Sequence, residues 1–376
     1  RTRHLADEAF DRLTEDVGGQ NNAFTTEDAT VYLNVVPANH VERLLWAEAE
    51  RMAQLQVSDA QFRSERAVVQ SEFRQRVLAD PYGRLFHGMA PVFWQVHPYR
   101  RPVIGRIDDL DAATLDDVQR FHRTYYRPDN ATLIVAGDVD PVRVDAWVDR
   151  HFGPLVSPPT PVPRVSVREP RREQDQRVTL TAPQVPAPAL ALLWQAPGAA
   201  HVDAAALRVA AALLGEGESS RLSAGLVERS RLAQSAGFGA DLHVDAGMLS
   251  AWAIASGPSV VGGDARRDPR LPKLEAALMH ELHRLAHGRI PIGELDKVRT
   301  QLMTEALVAR QTAEGRAMAV GWAVVRRQQA QAADVELTQL QFVRAEDVQR
   351  VLRQHVLEAH RVSLSFVQAQ PTGGTP

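Results

Sequence analysis

The chain has 376 residues, enough for two domains that each bury a core. Its formal charge of −3, with acids and arginines interspersed, leaves no footprint for nucleic acid, and no apolar run of about 18 residues offers a membrane-spanning helix. Cysteine is absent, so disulfides, thiolate metal sites and a cysteine nucleophile are excluded together.

The chain opens on Arg1, with neither an initiating methionine nor the apolar stretch of a signal peptide, and a processed or truncated chain is expected. In residues 2–17, Leu5, Phe10, Leu13 and Val17 sit near helical spacing, and Gly18-Gly19 stops that helix. Residues 22–36 alternate and are rich in β-branched and aromatic types, which predicts strand. After the Pro37–Asn39 turn, Val41, Leu44, Leu45, Ala49 and Met52 form the apolar face of a helix over 40–54. A helix over 59–78, capped by Ser58 or Asp59, carries Glu65 and Glu72 and ends at Asp80-Pro81-Tyr82-Gly83. A helix over 114–126, a short apolar strand from Ala131 to Ala136 and a helix over 141–151 complete this half.

The prolines of residues 157–170 favour an extended linker over a packed element. The expected division is therefore a first domain over 1–156, a linker over 157–172, a second domain over 173–370 and a tail over 371–376 without structure. In the second domain the order of elements roughly repeats. Strands over 177–182 and 189–195 precede a helix over 202–214, and Gly215 to Ser220 opens a helix over 220–229. Strands near 234–241 and 247–255, helices over 269–287, 292–314 and 344–355, and a strand over 361–367 follow.

Seven helical steps of about 100° bring Glu65 and Glu72 to nearly one azimuth, two turns apart. On spacing alone such a pair is a solvated face, with Arg63 or Arg66 available to Glu65. His283 and His287 stand four apart and could chelate a metal, but no acid lies where a hydrolase needs one, and a surface-facing amphipathic helix accounts for them better. Gly215 to Ser220 lacks the lysine of a phosphate loop and reads as a helix-capping turn. His97-Pro98-Tyr99 reads as a turn with a packed ring.

Seven runs stand out together: Gly18 to Thr25, Leu45 to Met52, Glu65 to Glu72, His97 to Tyr99, Tyr126 to Leu133, Gly137 to Val139 and, in the second half, Leu214 to Leu222. In this order they resemble the family of pitrilysin, insulin-degrading enzyme and mitochondrial processing peptidase, its bacterial two-domain members in particular. The resemblance implies an α+β fold of two homologous sandwich halves, antiparallel-rich sheets covered by helices, known as the LuxS/MPP-like metallohydrolase fold. The N-terminal half would be incomplete. The family binds Zn2+ through two histidines of H-x-x-E-H and a glutamate on a later helix, the motif's own glutamate activating the zinc-bound water. Matched residue by residue, Glu72 takes the third-ligand position and Glu65 that of a second, catalytic carboxylate. Asn22, Ala23, Phe24 and Thr25 match the edge strand to which the family adds an extended peptide.

Two departures qualify the match. No H-x-x-E-H occurs in the chain, and the family's substrate-gripping arginine and tyrosine positions hold Val227 and Gln234. The expected function is therefore a zinc-dependent endopeptidase chain, inactive alone, that cuts extended peptides in a two-domain chamber. A homo- or heterodimer partner would supply the missing grip. The alternative is a non-catalytic partner or scaffold subunit. Family habit and arginine bias point to the periplasm or cell envelope of a bacterium, with the cytoplasm as the alternative.

Overall fold

The computed structural model describes residues 1–259 and 268–369. The expected tail, Pro371 to Pro376, lies outside them. Contacts divide the chain into two compact units, and each is discontinuous in sequence. One comprises Arg1–Phe73, Val103–Ser166 and Val308–Ala330; the other comprises Arg74–Pro102, Val167–Leu307 and Gln331–Pro376. Each unit thus borrows a segment from the far side of the proline-rich stretch.

In the first unit, β1 (Gln20–Thr25) and β2 (Thr30–Val35) form an antiparallel two-stranded sheet. The single strand expected over 22–36 is therefore a hairpin. Thr26 makes the turn: its N–H donates to Ala29 O at 2.8 Å, and its hydroxyl accepts from the N–H groups of Asp28 and Ala29. The helix expected over 2–17 is only Ala9–Glu15. Polar competition explains the loss, because the Thr2 hydroxyl and the His4 N–H both donate to buried Glu50, at 3.0 and 3.1 Å.

The expected strand over Ala131–Ala136 does not form. Ala131 is extended (φ −119°, ψ 150°), but among the described residues no strand lies beside the segment to make a ladder. Apolar cover in this unit is thin. Leu45, Ala47, Ala49 and Phe73 are buried, whereas Phe121 and Leu133 stay exposed. The borrowed helix Ala313–Arg327 contributes Trp322 against Phe24, and Gly321 meets Ile134 closely. The expected helix over 292–314 instead ends at Ala309, and Thr312 caps a new one by accepting from the Gly315 N–H at 3.0 Å.

The second unit is built on a five-stranded sheet ordered β3-β7-β4-β6-β5. The strands are β3 (Gln176–Ala182), β4 (Ala189–Pro197), β5 (Ala233–Leu242), β6 (Ala246–Ala255) and β7 (Arg361–Gln368). Only the β3–β7 pair is parallel. The middle strand, β4, is apolar on both faces, as a strand covered twice must be. Leu190, Leu192 and Trp194 join a core with the helices Ala204–Gly215, Arg270–His287 and Ala345–Leu352. Ala189, Ala191 and Leu193 face a second core filled by Leu85, Met89, Phe93 and Trp94 of the other borrowed segment.

That borrowed helix, Gly83–Phe93, holds two glycines and Pro91, which mask it in the sequence. Gly88 is required by packing, since a Cβ there would lie 2.5 Å from Leu180 Cδ1 of β3. The helices Ile107–Ala112 and Ala332–Phe342 were also not expected.

Candidate functional site

The helix Asp59–Phe73 begins with a reciprocal cap. Ser58 Oγ accepts from the Gln61 N–H, and Gln61 Oε1 accepts from the Ser58 N–H at 2.9 Å, so Ser58 rather than Asp59 is the cap. At its far end the α-helix stops at Phe73, and a wider-turned stretch, Arg74–Ala79, replaces the last part of the expected 59–78 helix.

One face of this helix is tied down. Arg66 donates to the carbonyls of Asp111 and Ala113 at 3.3 and 3.2 Å, and Gln70 donates to Asp111 Oδ1 at 2.6 Å. Arg63 is engaged by Asp59. Neither neighbouring arginine is therefore paired with Glu65, which is exposed. Glu72 is half-buried beside the buried Phe73. The two carboxylates share an azimuth, but at 1.5 Å per residue their Cα atoms stand about 10 Å apart along the axis. That separation keeps them from ligating one ion side by side.

The four residues expected to bind substrate all lie on β1. Asn22, Ala23 and Thr25 are exposed, and Phe24 is half-buried, its ring 6.4 Å from Trp322. Among the described residues β1 pairs only with β2, so its outer edge offers backbone groups to an added strand. One of those groups is occupied: Asn22 Oδ1 accepts from the Ala23 N–H at 2.8 Å.

Tyr32 stands opposite Ala23 in the hairpin register. Its hydroxyl meets that of Tyr126 at 2.6 Å, and the Arg51 guanidinium lies 3.9 Å from its ring centroid. Burial, then the bond with Tyr126, push the Tyr32 phenol above its ordinary range. Tyr32, Tyr126 and Trp322 hold the hairpin in place. Their roles have no signal in residue spacing, because Tyr126 and Trp322 come from distant segments.

His97-Pro98-Tyr99 is the expected turn with packed rings. His97 and Tyr99 are buried, and His97 Nδ1 accepts from the Tyr99 N–H at 3.3 Å. Arg127 is buried too. It pairs with Asp129 and donates to the carbonyls of Pro158 and Thr160, pinning the start of the proline-rich stretch.

Residues 1–105 match the family description Insulinase (Peptidase family M16), and residues 112–302 match Peptidase M16 inactive domain. The chain belongs to peptidase family M16. It is 30% identical over 299 residues to a zinc protease, PqqE, of Helicobacter pylori, a match covering 79% of this chain and 65% of the relative. It is 24% identical to a probable mitochondrial-processing peptidase subunit beta of Arabidopsis thaliana, covering 80% and 56%. The chain thus spans less than two thirds of the length of these relatives. A crystal structure of a protease from Helicobacter pylori superposes with a TM-score of 0.87 at 27% identity, covering 97% of this chain and 86% of that one. The peptidase M16 inactive domain from Pseudomonas fluorescens shares the fold at 15% identity, with a TM-score of 0.78 and coverage of 100% and 87%.

Zinc is the metal of this family. Among the described residues no three histidine, aspartate or glutamate side chains converge to hold a metal ion. The donor set among the described residues does not by itself make up a zinc centre. No helix among the described residues is long and apolar enough to cross a membrane.

Proposed function

We propose that this chain is the substrate-holding part of a zinc endopeptidase, with β1 taking up an extended peptide and Glu72 supplying one ligand to the metal. The observation that carries this reading is the placement of Glu72. It sits half-buried on a helix whose start is fixed by the Ser58–Gln61 cap and whose opposite face is locked by Arg66 and Gln70. A helix held this way presents its carboxylate at one height and azimuth, which a metal ligand requires. The remaining ligands are two imidazoles from an H-x-x-E-H segment that this chain lacks, so the chain alone is inactive. Glu65, two turns away, orients or tunes charge near the site. A second subunit supplies the groups absent at Val227 and Gln234.

The test uses this chain joined to, or co-expressed with, the H-x-x-E-H segment of its own gene or of a relative. Zinc content and cleavage of an unfolded peptide are measured for the parent and for Glu72→Gln. Loss of stoichiometric zinc with retained folding supports the assignment. Full zinc and full cleavage in Glu72→Gln sink it.

The match of residues 112–302 to the inactive domain favours one other reading, a non-catalytic partner subunit. On that reading β1 still binds peptide, but Glu72→Gln leaves the zinc content of the assembled complex unchanged.

A further inference from the structure

The helix Arg270–His287 turns Leu271, Leu274, Leu278, Leu282 and Leu285 into the core and leaves His280, His283 and His287 exposed. The rings of His283 and His287 lie 6.0 Å apart, centroid to centroid, with their planes only 19° from parallel. Seven other histidines face a carboxylate, as His355 faces Asp203. Among the described residues His283 and His287 face only each other.

We propose that His283 and His287 form a two-imidazole chelate for a divalent transition-metal ion, separate from any catalytic zinc. Residues four apart on a helix lie one above the other on the same face, so two imidazoles can converge on one ion at about 2.0–2.1 Å each. Water fills the remaining positions. Two features of the surroundings favour a cation there. The pair occupies the last two turns, at the negative end of the helix dipole, where Arg353 already donates to Ala286 O at 2.9 Å. Arg284, the cation between them in sequence, is drawn away to buried Glu281, donating to its two oxygens at 2.8 and 3.0 Å. Borderline-soft imidazole ligands select Cu2+ over Ni2+ and Zn2+ and discriminate against Mg2+ and Ca2+. Among the described residues no carboxylate joins the pair in a metal-binding group to act as a base, so the bound ion stabilises the helix end and does no chemistry.

The experiment is a calorimetric titration of the full chain, free of any affinity tag, with NiCl2 and with CuCl2. One site is expected, tighter for Cu2+. Removing one of two ligands is expected to weaken Ni2+ binding about tenfold or more in His283→Ala and in His287→Ala, while His280→Ala binds as the parent does. Nitrogen hyperfine structure from two imidazoles is expected in the electron paramagnetic resonance spectrum of the Cu2+ form. All three side chains are exposed, so the variants fold, as circular dichroism checks. No site in the parent, or parental Ni2+ affinity in His287→Ala, overturns the inference.

Discussion

The ring of Phe24, on the strand proposed to receive peptide, rests 6.4 Å from that of Trp322, on a helix near the other end of the sequence. A two-stranded hairpin is marginal on its own in water, so β1 depends on this borrowed contact. Phe24→Ala, Trp322→Ala and the double variant are expected to show a coupling of about 0.5–1.5 kcal/mol in a double-mutant cycle. Strictly additive losses would mean that the rings do not support each other. Hydrogen exchange in β1 is expected to quicken in both single variants.

If β1 receives peptide as proposed, Asn22 competes with it for the strand's outer edge. Its side-chain oxygen holds the Ala23 N–H, a donor that an added strand would use. Removing an exposed local hydrogen bond of this kind frees about 0.5–1 kcal/mol, so Asn22→Ala is expected to tighten binding of an extended peptide by roughly 2–5-fold. Fluorescence anisotropy with a labelled unfolded peptide measures it. Weaker binding in Asn22→Ala would instead make the carboxamide a substrate contact.

The second unit depends on a side chain from the borrowed segment Arg74–Pro102. Phe93 is 1% exposed and fills the core on one face of β4. Phe93→Ala is expected to cost about 3–5 kcal/mol through lost burial and the cavity left behind. Thermal unfolding should register this as a large fall in midpoint. A loss below about 1 kcal/mol would show that the segment is not integral to that core.

Acid should weaken the second unit through Asp203. Burial alone would raise its carboxyl, but hydrogen bonds from Arg350 at 2.7 Å and His355 at 2.9 Å, with their charges, hold it below its ordinary range. A depressed carboxyl contributes stability that is fully present above its unfolded value, about 3.9, and is lost as pH falls through the lower folded value. Urea midpoints measured from pH 6 downward should therefore decline for the parent. Asp203→Asn should be less stable at neutral pH, by about 2–4 kcal/mol, and show a flatter profile. Equal slopes for parent and variant would remove Asp203 from the account.

Much of this architecture is readable in advance where periodicity is strong. The five strands of the second unit and the helices Val41–Gln54, Pro141–His151 and Arg270–His287 follow from alternation or helical spacing. The failures have physical causes. Ala131 to Ala136 has strand composition, but a strand exists only with a neighbour to share its hydrogen bonds. Gly83–Phe93 hides behind Gly88, a residue that lowers helix propensity and is needed because Leu180 packs against it. At the candidate site, Glu65, Glu72 and the β1 residues are expectations carried by the family resemblance alone. The Tyr32–Tyr126 pair, the Asn22 contact and Trp322 are long-range or conformational facts that no spacing encodes.

The exchange of segments also sets the order in which this protein can be completed during synthesis. The first unit begins at Arg1 but is closed by Val308–Ala330. At about 5–20 residues per second, the ribosome needs on the order of tens of seconds to make the intervening chain. Through that interval β1 and β2 wait without the helix whose Trp322 packs on Phe24, exposing hydrogen-bonding edges that chaperones or a partner chain must shield. The hairpin proposed to hold peptide, although early in this sequence, is thus among the last parts of the molecule to become native.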